Sequence, residues 1–290
     1  MDVHPDGTVT VRTGTSPHGP GHETAFAQIA AGVLDVPSEC ITVVHSDTFL
    51  LPSGGGTGGS RSLQVGGSAV LRTAEAVLGK AKEAAANALE ASVDDIVAMG
   101  DGRLGVTGSP ASAISIFDLA AHGELSIEMD VPASGQSFPF GTHVAVVEVD
   151  TDTGDARLVR HFAVDDCGNI VNPMLVRGQQ HGGIGQGAAQ ALYEHFQYDA
   201  DGNPLTGTYL DYLFPSAADL PSFETTNTQT PSPHNALGAK GIGESATIGS
   251  TPAIQNAVID ALSHLGVTHI DMPLSPERVW RAIQSVASSS

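Results

Sequence analysis

Gly238–Ser245, GAKGIGES, sets one carboxylate among three glycines. Glycine tolerates positive φ and close backbone approach, so a loop of this composition can aim Glu244 into a cavity. On that ground Glu244 is the leading catalytic candidate. A plainer role, a carboxylate set against a helix start, is also open to it. Thr251-Pro252 reads as the beginning of the following helix, with Pro252 at its first position and Ala253, Ile254, Ala257, Val258, Ala261 and Leu262 as the buried stripe.

Outward from this loop the chain alternates extended and helical patterns. Thr8–Thr13 and Ile41–His45 read as strands, and Glu23–Leu34 between them as a one-faced helix. A glycine-rich loop, Ser53–Ser60, leads into a long helix from about Ser62 to Leu89. Residues 100–140 read as loop-rich. Val144–Val149 and Arg157–Phe162 flank the turn Asp152-Thr153-Gly154-Asp155 as a hairpin. Helices about Gly178–Tyr193, from Pro252, and from Ser275-Pro276 complete the pattern. Strand, helix, strand and long helix thus occur twice, which predicts an α+β fold with two similar subdomains, 1–140 and 141–290.

The 290 residues are 41% hydrophobic, enough for a sizeable core. With 12 Lys and Arg against a net charge of −20, the chain lacks the basic surface that nucleic acid or an anionic membrane requires. Cys40 and Cys167 lie far apart, and an iron–sulfur cluster needs four thiolates. The pair fits reduced, buried thiols in the cytoplasm. No apolar run reaches the roughly 20 residues of a membrane span. The chain enters a strand almost at Met1, as expected of a small module or of the later part of a larger architecture.

Glycine-rich turns before helices are the recurring chemical signal: Gly19-Pro20-Gly21, Ser53–Ser60, Gly182–Gly187 and Gly241–Gly243. Unpaired N–H groups at helix starts suit an anion, whereas the same glycines also serve close helix contacts. Hydroxyl and amide residues beside all four (Thr57, Ser60, Ser62, Gln179, Gln186) favour one shared anionic ligand. The loose Gly183-x-Gly185-x-x-Ala188 and Gly241-x-Gly243-x-x-Ala246 patterns do not follow strands of a βαβ unit, which excludes a Rossmann reading. His18 and His22 are four apart, but Pro17 and Pro20 break the helix that would align them on a metal.

Together these segments resemble the cofactor-binding large subunit of the molybdenum hydroxylases, the family of xanthine dehydrogenase, aldehyde oxidase and carbon monoxide dehydrogenase. Gly14–Thr24 (GTSPHGPGHET) resembles the family's Gly-Gln-Gly-His-x-Thr loop, and Asp47–Ser62 (DTFLLPSGGGTGGSRS) its Gly-Thr-x-x-Ser-Arg-Ser loop. Gly178–Gly187 (GQQHGGIGQG) resembles its GQxxGGxxQG turn and helix, and the Glu244 loop completes the set. Asp166–Pro173 (DCGNIVNP) and Asp211–Pro215 (DYLFP) also fit.

The resemblance implies the molybdopterin-binding fold of the aldehyde oxidase and xanthine dehydrogenase type, carrying molybdenum on a molybdopterin in its cytosine dinucleotide form. It implies cofactor contacts from Gly19, Gly21, His22, Thr24, Thr57, Gly58, Gly59, Ser60, Arg61, Ser62, Gln179, Lys240, Gly241 and Gly243, with Glu244 as general base. It further implies an upstream half of the large subunit, an FAD-binding medium subunit and a small subunit with [2Fe–2S] clusters. The activity implied is oxidative hydroxylation of an aldehyde, N-heterocycle or similar small substrate with water as oxygen source. Three other readings compete with it. They are a split subunit that binds cofactor or partners without turnover, a carbon monoxide dehydrogenase-like enzyme, and an unrelated acidic metal protein using His18 and His22.

One departure from the family pattern is testable. Pro20 stands where the family has glutamine, which removes an amide and a backbone N–H from the cofactor loop. Pro20→Gln is expected to raise molybdenum per chain, measured by mass spectrometry of the metal. Unchanged occupancy refutes a weakening effect of the proline.

Overall fold

The computed structural model describes residues 1–51, 53–132 and 135–288. Pro52 in the Asp47–Ser62 loop, Ala133 and Ser134 in the stretch expected to be loop-rich, and Ser289 and Ser290 lie outside the described residues. The chain forms two compact units that interleave in sequence. Unit 1 is Met1–Phe138 with Gly168–Pro173 and Thr230–Gly241; unit 2 is Pro139–Cys167, Met174–Gln229 and Ile242–Ser290.

In unit 1, β1 (Asp2–Val3) turns back into β2 (Val9–Arg12). Helix α1 (His22–Leu34) then crosses to β3 (Ile41–Val44), which pairs parallel with β2, Val9 opposite Ile41 and Val11 opposite Val43. A π-helical turn, Leu63–Gly67, runs into α2 (Ser68–Ala88), whose Val70, Ala74, Val77, Ala81 and Ala85 are buried at helical spacing. Small residues on that stripe let α2 lie close along α1, whose Phe26 and Leu34 are fully buried. Each such side chain contributes about 1.5–3 kcal/mol.

The stretch expected to be loop-rich carries regular structure. The strands β4 (Ile96–Ala98), β5 (Arg103–Val106) and β6 (Ile114–Ser115) make a small antiparallel sheet. Next come α3 (Ile116–His122), capped by the Ser115 hydroxyl, and β7 (Leu125–Ser126), which completes the larger sheet in the order β3-β2-β1-β7. These elements are only two to seven residues long, too short to set up a readable period.

In unit 2, β8 (Phe140–Val149) and β9 (Ala156–Asp166) form the expected hairpin, longer than its sequence signal. The Asp150 carboxylate accepts from the N–H groups of Asp152 and Thr153, and Gly154 takes φ +78°. Helix α4 (Pro173–Leu192) leads to β10 (Phe223–Thr228), which joins β9 in parallel. Helices α5 (Ser245–Leu262) and α6 (Pro276–Ala287) follow. Leu158, Leu192, Ile254, Val258, Leu262, Leu274 and Val279 form the apolar core.

Two expected helix starts are corrected. Helix α5 begins at Ser245, seven residues before Pro252, which lies inside it. Proline costs a helix one N–H, here the donor for the Ile248 carbonyl, and packing against α4 overrides that loss. Helix α4 begins at Pro173, so GQQHGGIGQG is helix interior rather than a turn and first turn. Gly183 and Gly187 serve a helix contact: a methyl on Gly183 would lie 2.7 Å from the Ala246 Cβ, and one on Gly187 would strike the Ser250 hydroxyl. The Thr247 hydroxyl donates to the Gly183 carbonyl at 3.1 Å, and that of Thr251 to Gly187 at 3.4 Å.

Under this helix pair unit 2 buries a polar cluster. His143 Nδ1 meets His161 Nε2 at 3.0 Å, and His143 Nε2 meets Asp165 Oδ1 at 3.3 Å. Gln180 of α4 donates to Asp165 Oδ2 at 2.8 Å and to the Thr226 carbonyl at 3.2 Å. Burial, with His143 adding to it, lowers His161 from 6.5 to about 4. Burial pushes the Asp165 carboxyl up, but hydrogen bonds from His143 and Gln180 and the nearby imidazoles outweigh it, leaving it below its ordinary value.

The sign of the resulting pH dependence follows. Between pH 6.5 and about 4 the unfolded chain protonates its histidine at position 161 while the folded chain does not, so stability falls as pH falls through that window. Asp165 adds a loss in the same direction below 3.8. Trp280, the chain's only tryptophan, sits in α6 and reports on unit 2. Its urea midpoint is expected to drop from pH 6.5 to 4 by the equivalent of on the order of 2 kcal/mol, and His161→Gln to flatten that slope. An unchanged slope in His161→Gln contradicts the assignment.

Candidate functional site

Four segments far apart in sequence are knitted together within unit 1. Gly14 and Gly54 touch through their backbones, and the N–H of Gly56 donates to the Gly14 carbonyl at 3.2 Å. Thr15 packs where Gly66 lacks a side chain. From the far end of the sequence, Gly241 lies against Ser60, so that a methyl on Gly241 would stand 2.5 Å from the Ser60 carbonyl oxygen. Gly238 is tied to the fourth segment, its carbonyl accepting from the N–H groups of Asn169 and Ser232 at 3.0 Å each. The Asn235 side chain clasps the loop from within, donating to the Ala239 carbonyl and accepting from its N–H.

The individual side chains in these loops differ in exposure. Gly19 and Gly21 take φ +101° and +77°, and Gly21 precedes α1 with no side chain capping it. His22 is buried and stacked on Phe26 at 5.0 Å; burial lowers its pKa, against the pull of Glu23. Thr24, Gly58, Gly59 and Arg61 are exposed, whereas Ser62 is buried and donates to the Thr57 hydroxyl at 2.9 Å. Gly59 and Ser60 are successive residues at positive φ, +60° and +51°. Lys240 is buried.

In unit 2, Glu244 stands at the N-cap of α5 and is exposed, with Gly243 before it. The contacts of Ala246, Thr247, Ser250 and Thr251 with α4 fix that helix start. Gln179 lies half-buried, within the second turn of α4. Its segment's N–H groups are taken up by the helix, so the expected helix-start anion role for Gly182–Gly187 is replaced by packing. His143, His161, Asp165 and Gln180 were missed. A signal existed: His161, Ala163 and Asp165 alternate on one face of β9, but the bulge between Val146 and Val147 shifts the register and breaks the parity with Leu158.

The loops of unit 1 fit an anionic, many-atomed group. No atom lies within 4 Å of a side chain added at Gly58 or Gly59, so a ligand can reach their backbone. The buried Nδ1 of His22 and Oγ of Ser68 have no partner among the described residues. Lys240 supplies a positive charge in the same segment as Gly241. Among the described residues no group of three or more His, Cys, Asp or Glu is arranged to hold a metal directly.

Comparison with known proteins gives a consistent result. A family model described as molybdopterin cofactor-binding domain matches residues 1–221. The carbon monoxide dehydrogenase large chain of Hydrogenophaga pseudoflava is 41% identical over 97% of this chain and 36% of its own length. The nicotine 6-hydroxylase large subunit of Paenarthrobacter nicotinovorans is 39% identical over 97% and 36%. A crystal structure of a Cu,Mo-CO dehydrogenase in its carbon monoxide-reduced state matches with a TM-score of 0.90 at 37% identity, over 99% of this chain and 37% of that one. The chain therefore spans little more than a third of the relatives it matches. With the knitted glycine loops in place, the chain belongs to the molybdopterin cofactor-binding domain family of the molybdenum hydroxylase large subunits.

Proposed function

We propose that this chain is the later, cofactor-binding part of a molybdenum hydroxylase large subunit, and that the whole enzyme hydroxylates an aldehyde, N-heterocycle or similar small substrate with oxygen from water. The observation that carries the reading is the convergence of Gly14, Gly54–Ser60, Gly168–Asn169 and Gly238–Gly241 in unit 1. Relatives named for carbon monoxide and for nicotine are almost equally similar, which supports assigning to this chain the machinery they share rather than the choice of substrate.

In this reading the loops hold a molybdopterin, in its cytosine dinucleotide form. Gly19, Gly21, His22 and Thr24 at α1, Thr57–Ser62, Gln179, and Lys240, Gly241 and Gly243 offer the donors. The bound cofactor supplies two-electron redox chemistry. Glu244 takes a proton as substrate is attacked, a role that needs an ionised carboxylate on a fixed backbone. The start of α5, held by Gly183 and Gly187, provides that backbone. An upstream half of the subunit would complete the substrate pocket. Electrons would leave through partner subunits carrying [2Fe–2S] clusters and FAD, since this chain has only two, distant cysteines. The enzyme would work in the cytoplasm.

The first test is the metal content of the protein that carries this chain, purified from its native source, with iron and flavin measured together. Absence of molybdenum refutes the reading. Glu244→Gln is expected to leave molybdenum content near normal while lowering turnover about 10²–10⁴-fold; native rates in that variant remove its role as base. Gly241→Ala drives a methyl into the Ser60 carbonyl and is expected to cost about 1–3 kcal/mol and to lower molybdenum per chain. Full occupancy in Gly241→Ala argues that this contact does not shape the cofactor loop.

A further inference from the structure

The buried polar cluster of unit 2 reaches the helix that carries Glu244. The ring of His143 lies against α5 at Gly249: a methyl placed there would stand 2.6–2.8 Å from His143 Cδ2, Nε2 and Cγ. Gly249 follows Glu244 by five residues, little more than one helical turn. The α4 side of the helix start is fixed by Gly183 and Gly187, and on the sheet side the His143 ring joins the buried cluster of Ala163 and Ala246 in supporting it.

That ring is not free to turn. With Asp165 ionised, His143 donates from Nε2 to Asp165 Oδ1, and a ring protonated at that nitrogen alone accepts at Nδ1 a hydrogen bond from His161 Nε2. His161 Nδ1 is then a bare lone pair, in keeping with its having no partner among the described residues. Gln180 holds the second Asp165 oxygen and ties the set to the Thr226 carbonyl of β10. All four side chains are buried. The other titratable groups nearby have partners of their own, Asp166 with the Thr228 hydroxyl and His181 with the Phe223 ring and the Thr225 hydroxyl. Helix α5 carries no titratable group between Glu244 and Asp260.

We propose that His143 is a positioning residue, locked by His161, Asp165 and Gln180, that sets the seat of the first turns of α5 and thereby the place of the Glu244 backbone. The inference rests on the proposed general-base reading for its consequence but not for its test. A ring hydrogen-bonded at both nitrogens is what lets a polar side chain serve as a rigid floor beneath a glycine. An aliphatic side chain there would fill the space without fixing an orientation. Protonation of His161 in acid would loosen the floor, because burial penalises a charge on that ring.

The test is hydrogen–deuterium exchange, read by mass spectrometry on the protein that carries this chain and corrected for intrinsic rates. His143→Phe fills the space without the hydrogen bonds. It is expected to raise exchange over Ser245–Thr251 roughly tenfold, the equivalent of one or two lost hydrogen bonds, while α1 and α2 exchange as before. His161→Gln, which removes the group that protonates, is expected to abolish the increase in exchange expected there between pH 6.5 and 4. Gly249→Ala leaves the four polar side chains in place and pushes on the ring; it should move the same peptide in the same direction, and it decides alone if His143→Phe does not fold. Native exchange over Ser245–Thr251 in folded His143→Phe or Gly249→Ala, or a native pH dependence in His161→Gln, overturns the proposal. Native turnover in Glu244→Gln would remove the base while leaving this exchange result standing, so the two failures are distinct.

Discussion

Backbone meeting backbone where side chains are missing is the constraint on which both units depend. In unit 1, Gly14 against Gly54 and Gly241 against Ser60 bring together loops separated by up to about 180 residues. In unit 2, Gly183 and Gly187 let α5 approach α4 closely enough for Thr247 and Thr251 to reach its carbonyls. Even a methyl group at these points meets an atom that cannot yield without moving the chain. The glycines of this sequence therefore divide by role: some close contacts between segments, while others, Gly58 and Gly59, leave backbone open.

Electrostatics follow the same division between near and far. A chain of net charge −20 repels anions at long range, and salt screens that field beyond about 8–10 Å. An anionic group held in unit 1 depends instead on short-range donors, the N–H groups of tight loops and the buried Lys240. In the polar cluster of unit 2 one carboxylate is met by amide and imidazole donors, and burial disfavours a charge on His161.

Long, periodic elements were legible in the sequence. α1, the run from Leu63 through α2, and the β8–β9 hairpin all announce themselves by spacing and turn chemistry. Strands of two to four residues between 96 and 126 did not, since two or three alternations carry no period. Pro252 and Gly178–Gly187 misled for one reason: local signals for a helix start describe an isolated segment, whereas the α4–α5 contact decides where these helices run. The loop motifs of the site were readable as motifs, but their meeting was not. Only a fold brings Gly241 to Ser60, and only a shifted strand register puts His161 and Asp165 under α5.

The chain changes unit after Phe138, Cys167, Pro173, Gln229 and Gly241. No single cut therefore yields two intact pieces. A truncation ending at 140 strips unit 1 of Gly168–Pro173 and Thr230–Gly241, the very strands of polypeptide that close its glycine contacts. Such connectivity makes the two bodies inseparable by dissection or by shuffling during descent, and it favours inheritance of the whole stretch as one heritable block.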